Sequence, residues 1–369
     1  MDMRAHVAHA LCFGTLVLAA PISITRESTK ATDTAINAPS ALASDNHGHL
    51  FLIEMHENKV LRIDLQAGTI STVAGNGKKC AYKNGTKAAE VCLDFIQSIA
   101  VDSHGNVFIG EYNQILMVDA NTGLISIIAG DGTPGNTVSG TDVRSVHFWG
   151  INGMAVGLDG NLFAADQHQG KIFKIDTKKG TFQDYAGSGI FGYGGDGGLA
   201  IHASFRFPSG LATDRAGNLV VADFENCAIR RIDRETGIVK TIAITGGVEQ
   251  NCVDRPDNSR PGAFPSDPAV DPDGNIYFVE GAMDFVKRID SSTSAVSVFA
   301  GNGHRGFTGD NGVATDAELN NPSGLAIDLE GNVFIAEYVN NRVRRVDAKT
   351  KVITTIAGNG LPHRIDFMM

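Results

Sequence analysis

Pro322-Ser323-Gly324-Leu325-Ala326-Ile327-Asp328 is followed closely by Gly331-Asn332-Val333-Phe334-Ile335-Ala336-Glu337, by Arg342-Val343-Arg344-Arg345-Val346-Asp347 and by Val352-Ile353-Thr354-Thr355-Ile356-Ala357. Each piece is short, rich in β-branched residues and bounded by Gly, Asn or Asp, the pattern of strands joined by tight turns. The four pieces, strands A to D, read as one antiparallel unit.

Working outward, the unit recurs. The Asp that closes strand C stands at Asp64, Asp119, Asp176, Asp233, Asp290 and Asp347, with separations of 55, 57, 57, 57 and 57 residues. The Gly of the A–B turn keeps almost the same spacing, at Gly48, Gly105, Gly160, Gly217, Gly274 and Gly331. A register held through six copies marks a repeat array whose units bury their faces against one another. The expected fold is all-β, a six-bladed β-propeller with four antiparallel strands per blade, over residues 30–360. Blade 2 departs most: Gln97 stands at the usual Pro, and its B–C turn is one residue shorter. Ala31-Thr32-Asp33 with Pro39-Ser40 matches Ala314-Thr315-Asp316 with Pro322-Ser323. The first blade therefore starts from a connector, and ring closure is expected from packing of blade 1 on blade 6.

These motifs resemble NHL repeats, in Pro322–Asp328, Gly331–Glu337, Asn341–Asp347 and Thr355–Gly360 above all. The resemblance spans residues 30–360 and implies blades set around a central channel.

Composition narrows the partners. A formal net charge of −10 argues against nucleic acid, which is bound by clustered Lys and Arg. No apolar run reaches the ~20 residues of a membrane helix. Arg4 and the apolar stretch from Leu11 to Ala20 read as a secretory signal peptide cleaved after Ala19, so residues 1–19 are assigned as leader and 361–369 as a tail. A secreted chain would keep Cys80, Cys92, Cys227 and Cys252, for which local pairing gives 80–92 and 227–252. Asn84-Gly85-Thr86 is a glycosylation sequon.

Blade topology sorts the loops. The long D–A connectors and the B–C turns emerge on one face, the top; the uniform A–B and C–D turns emerge on the other. Variable loops on a rigid scaffold are where function gathers. All four cysteines fall on the top face. The acids ending strand B (Glu54, Glu111, Asp166, Asp223, Glu280, Glu337) occur in every blade, so they are read as acceptors for their own B–C turns and not as a catalytic ring.

Strand A should be innermost, and its opening position reads Ser40, Ser98, Asn152, Ser209, Ser266 and Ser323. Propeller lyases of the peptide-amidating type resemble this repeat but place zinc-binding His there, and this chain has none. Gluconolactonases use Asn and Asp at such places; Asn152 matches, while Asp267 is one place out of register. No metal and no cofactor is therefore expected.

Aromatic and imidazole residues break the symmetry. Tyr112, Phe224 and Tyr338 follow strand-B acids, Phe95 and Trp149 lie in connectors, and His168 sits in a B–C turn. Together they read as walls for an apolar or aromatic small molecule, with His147, Asn152 and Arg206 as polar, candidate catalytic groups. At the level of architecture the chain resembles the fungal propeller hetero-Diels–Alderases of tropolone–sesquiterpenoid biosynthesis. That resemblance implies a cofactor-free cycloaddition of a tropolone-derived quinone methide with a humulene-type alkene. The alternatives are a non-catalytic module binding protein or glycan, and a metal-dependent lactonase.

Overall fold

The structure is a computed structural model, and it describes residues 29–78, 84–136, 142–245 and 264–361. The leader, Cys80, Cys252 and all of the tail except Leu361 lie outside the described residues. Six antiparallel sheets follow in chain order, each taking its four strands A to D consecutively from the inside out, and in blades 1 and 2 a two-residue connector strand, Thr29–Lys30 or Thr86–Lys87, pairs outside strand D. Strand A is Pro39–Ser44, Ser98–Val101, Ile151–Val156, Pro208–Thr213, Pro265–Val270 and Pro322–Ile327 in blades 1 to 6. Each A strand packs on the A strands of both neighbouring blades, blade 1 against blade 6 included. The chain is a six-bladed β-propeller.

The repeated polar residues hold the turns. On the bottom face every strand-C Asp caps its C–D turn, as Asp347 does by accepting N–H bonds from Lys349 (3.0 Å) and Thr350 (2.9 Å). The Asn after the turn Gly is a staple. In blade 6 the Asn332 amide donates to Asp328 at 2.8 Å, and its oxygen accepts from Ala348 N–H at 3.0 Å. Blades 4 and 5 repeat both bonds through Asn218 and Asn275. One side chain thus ties the A–B turn to the C–D turn.

On the top face the strand-B acid has a longer reach than its own B–C turn. It accepts the backbone N–H of the residue 17 places earlier, in the connector: Asn37 to Glu54, Asp94 to Glu111, Trp149 to Asp166, Arg206 to Asp223 and Asn320 to Glu337, at 2.7–3.2 Å. Bonds to the B–C turn exist as well, as from Asn226 to Asp223, but the clasp on the connector is what repeats. It aims each connector at the head of strand A.

This clasp corrects the reading of blade 2. Counting from Asp94, the place of Pro39 belongs to Ile96, and the place of Ser40 belongs to Gln97. Ser98 pairs with Gly110 as Gly153 pairs with Ala165, which confirms the shift. The innermost opening position is therefore Ser40, Gln97, Asn152, Ser209, Ser266 and Ser323.

Closure needs no borrowed strand. Gly358 N–H donates to Ala31 O at 2.9 Å, the same connector bond that Gly75, Gly130, Gly187 and Gly301 make at 2.9–3.0 Å. A side chain at these glycines would run into the carbonyl of a B–C turn, which leaves room for glycine alone. Leu42, Leu50 and Leu52 of blade 1 share one core with Phe334, Ala336 and Val343 of blade 6, and the Ser323 hydroxyl donates across the seam to Pro39 O at 2.9 Å.

Candidate functional site

On the top face, between blades 2, 3 and 4, the clasped connectors bring Tyr112, Asn152 and His168 together. Gly150 lies at their centre: a Cβ there would stand 3.3 Å from Asn152 Oδ1, 3.3 Å from His168 Cδ2 and 3.5 Å from Tyr112 Cε2. The Tyr112 and His168 rings are 6.5 Å apart, His168 meets Phe207 edge-on at 5.4 Å, and Phe207 stacks on Phe191 at 5.4 Å. This is a continuous aromatic wall at a place where three blades meet. Phe207 holds φ of +52°, the left-handed turn that swings the chain into strand A.

Asn152 supplies the wall's polar centre. Its Oδ1 is buried and has no protein partner. At the same innermost position Ser40 Oγ, Gln97 Oε1 and Ser209 Oγ are also buried without one. Folded proteins rarely leave such atoms unpaired, and four at one structural position single out the upper end of the channel.

The other candidates are placed differently. His147 Nε2 lies 3.2 Å from an Asp131 carboxylate oxygen, and Arg206 Nε donates to Glu225 at 2.8 Å. Both are committed to carboxylates, and the structure does not gather His147, Asn152 and Arg206 into one catalytic group. Trp149 spends its indole N–H on Asn136 at 2.9 Å. Phe224 stacks on Phe264 at 4.8 Å, and the Tyr338 hydroxyl meets His56 Nε2 at 2.8 Å, each pair bridging two blades elsewhere on the rim. Phe95 is exposed, with φ of +48°. Asn84 is exposed at a turn and accepts from Ile127 N–H through its side-chain oxygen at 2.9 Å.

Cys92 and Cys227 are each disulfide-bonded; Cys80 and Cys252, the partners expected for them, lie outside the described residues. Among the described residues no group of three His, Cys, Asp or Glu side chains is placed to hold a metal ion.

Burial governs the carboxylates of this face. It pushes Glu54 and Glu337 up to about 7 and Asp223 up to about 6, against the bonds and cations that favour their charged forms. Sequence reasoning missed two cations that answer them. Arg230 and Arg344 are fully buried, reaching Asp223 (3.3 Å) and Glu337 (3.4 Å) and, at 2.8 Å, Asp196 and Asp310 of the Gly-Asp connectors. The signal was present: those two connectors precede the two blades with Arg at this strand-C position.

Three cavities lined by described residues open on the bottom face. One of about 510 Å³ lies at the seam of blades 1 and 6, one of about 670 Å³ between blades 5 and 6, and one of about 730 Å³ spans the A–B turns of blades 1, 2 and 3.

Comparison with known proteins places this architecture. The NHL repeat pattern matches residues 205–232, so the chain is a six-bladed propeller carrying an NHL repeat. It is 26% identical over 327 residues to suppressor of quenching 1, chloroplastic, of Arabidopsis thaliana, covering 85% of this chain and 25% of that protein. It is 22% identical over 321 residues to human teneurin-1, covering 80% of this chain and 10% of that protein. The chain thus spans a quarter or less of these relatives. Among solved structures, streptogramin B lyase aligns with a TM-score of 0.53 at 16% identity, over 89% of this chain and 85% of that one. An auxiliary nutrient binding protein of Bacteroides thetaiotaomicron aligns with a TM-score of 0.58 at 16% identity, over 87% and 70%. These likenesses are of fold.

Proposed function

We propose that the chain binds an apolar, partly aromatic small molecule on its top face, between blades 2, 3 and 4, and promotes its cycloaddition without a cofactor. The observation that carries the binding site is the convergence of Tyr112, Asn152 and His168 around Gly150, beside buried polar atoms that lack partners. The aromatic wall would stack on the ligand, and the polar centre would orient it. Asp64, Asn275 and Asp102, among the lining of the bottom cavities, already hold turns with their polar groups.

The reaction rests on the architectural resemblance to hetero-Diels–Alderases. In such a step a heterodiene, O=C–C=C, meets an alkene; one C–O and one C–C bond form, three π bonds become one, and nothing leaves. Holding both partners in a reactive pose can supply several kcal/mol of the barrier, and a donor to the carbonyl oxygen lowers it further. With His147 and Arg206 engaged, and His168 Nε2 accepting from the Gln167 amide at 3.1 Å, the donors at the wall are the Tyr112 hydroxyl and His168 Nδ1–H. Streptogramin B lyase and an auxiliary nutrient binding protein share the fold, so both catalysis and simple binding are compatible with it. Incubation with pools of tropolone-type and terpene metabolites, followed by mass spectrometry, tests the reaction: an adduct of summed mass that Tyr112→Ala and His168→Ala abolish supports it. Retention of a ligand without conversion would leave a binding protein; adduct formation equal in both variants would refute the site.

A further inference from the structure

The layer just below the opening position is made of Ala41, Ser98, Gly153, Gly210, Asp267 and Gly324. Neighbouring A strands touch backbone to backbone here: a Cβ on Gly153 would come 2.8 Å from Gly210 Cα, and one on Gly210 would come 2.7 Å from Asp267 N. Five blades keep this layer small, and blade 5 alone places a carboxyl in it.

Three features mark Asp267 as out of keeping with a structural role. Its backbone is at φ +40°, a left-handed conformation that its counterparts do not adopt and that costs energy in any residue but Gly. Among the described residues its carboxyl has no hydrogen-bond or ion-pair partner, whereas the strand-B acids are bonded. It keeps some accessible surface, although the A strands beside it touch backbone to backbone. One layer up, at the opening position of blades 1 to 4, stand Ser40, Gln97, Asn152 and Ser209 with their unpaired atoms.

We propose that Asp267 donates the hydrogen bond that grips a carbonyl oxygen of the ligand in the channel neck. The proposal rests on the small-molecule reading above and names the group of that ligand which enters the channel. Burial alone, with no neighbouring charge, pushes this carboxyl up to about 8, so it is protonated at neutral pH. The strands beside it present Gly210 and Gly324 at this level, neither of which titrates. An uncharged acid with no internal acceptor is suited to a ketone or similar oxygen and ill suited to an ammonium group, which would need the charged form.

The test uses the whole chain and three probes built on one benzene ring: acetophenone, toluene and benzylamine. Acetophenone should bind more tightly than toluene below pH ~7.5, and its affinity should fall roughly tenfold by pH ~9.5 as the acid ionises. Asp267→Asn keeps a donor and should bind acetophenone with a flat pH profile. Asp267→Gly, which restores the residue of blades 3, 4 and 6, should lose about tenfold in affinity below pH ~7.5 while its Tm rises by about 1–3 °C, because strain and a desolvated acid both disappear. Wild-type affinity for acetophenone in Asp267→Gly, or benzylamine binding that strengthens with pH, would overturn the proposal. If Tyr112→Ala weakens acetophenone but Asp267→Gly does not, the neck assignment fails alone. If no probe binds the wild type, the ligand reading fails with it.

Discussion

Asn152 shows how a single residue can be read before its surroundings are known. It stood out because it interrupts a series of serines, and the structure places it beside Tyr112 and His168 with an unpaired buried oxygen. Gln97 was misplaced because Ser98 next to it looked like the missing serine; the position is fixed by Glu111 reaching back to Asp94, which only geometry displays. Asp267 was visible as an acid out of register, but its isolation depends on backbone contact between three blades and could not be read from spacing. Replacing Asn152 with Ala removes an unpaired acceptor and should change stability by no more than about 1 kcal/mol, while aromatic-ketone affinity falls several-fold. Parallel denaturation and titration of the variant separate the two effects. The buried arginines behave oppositely. Arg344→Leu strands Glu337 without its cation and should cost about 3–5 kcal/mol in urea unfolding. A cost under ~1 kcal/mol would show that the pair contributes little.

The elements were legible because both turn systems are local. An Asp that caps its own C–D turn and an Asn that staples it to the A–B turn recur at fixed offsets, so period and strand boundaries came out within a residue or so. The top connectors were less legible, since their course is set by bonds 17 residues away and by cation pairs such as Arg230–Asp196. At this scale the cysteines are decisive. Cys227 occupies a left-handed position, φ +51°, where blades 1, 5 and 6 have Asn58, Asp284 and Asn341. Pairing of Cys92 with Cys80 and of Cys227 with Cys252 should appear in non-reducing peptide mapping. Removal of either bridge should lower stability by about 3 kcal/mol, as expected for loops of this length. Recovery of a peptide linking Cys92 to Cys227 would refute the local pairing.

For the whole molecule, charge sets the pH at which the ring is strongest. The strand-C Asp caps at Asp119, Asp176, Asp233, Asp290 and Asp347 are held below the usual carboxylate range, chiefly by turn hydrogen bonds. Their contribution is present above the unfolded pKa, near 4, and is lost as pH falls through the lower folded values. Glu54, Asp223, Glu337 and Asp267 have raised values of about 7, 6, 7 and 8. For these the unfolded chain ionises first, so stability is greatest near pH 4 and declines as pH rises toward 8. The two trends cross, and Tm should peak at about pH 4–5, well below neutrality. A calorimetric series with its maximum at pH 7 or above would show that the buried acids are better compensated than their surroundings indicate.

The most direct test of the functional account is crystallographic soaking with small aromatic ketones and phenols, because the bottom cavities offer a built-in competitor. The account predicts ordered fragments against Tyr112, Asn152 and His168, with a carbonyl oxygen turned toward Asp267 in the neck. Fragments gathered in the bottom cavities, with the top of the channel bare at saturating concentration, would contradict it.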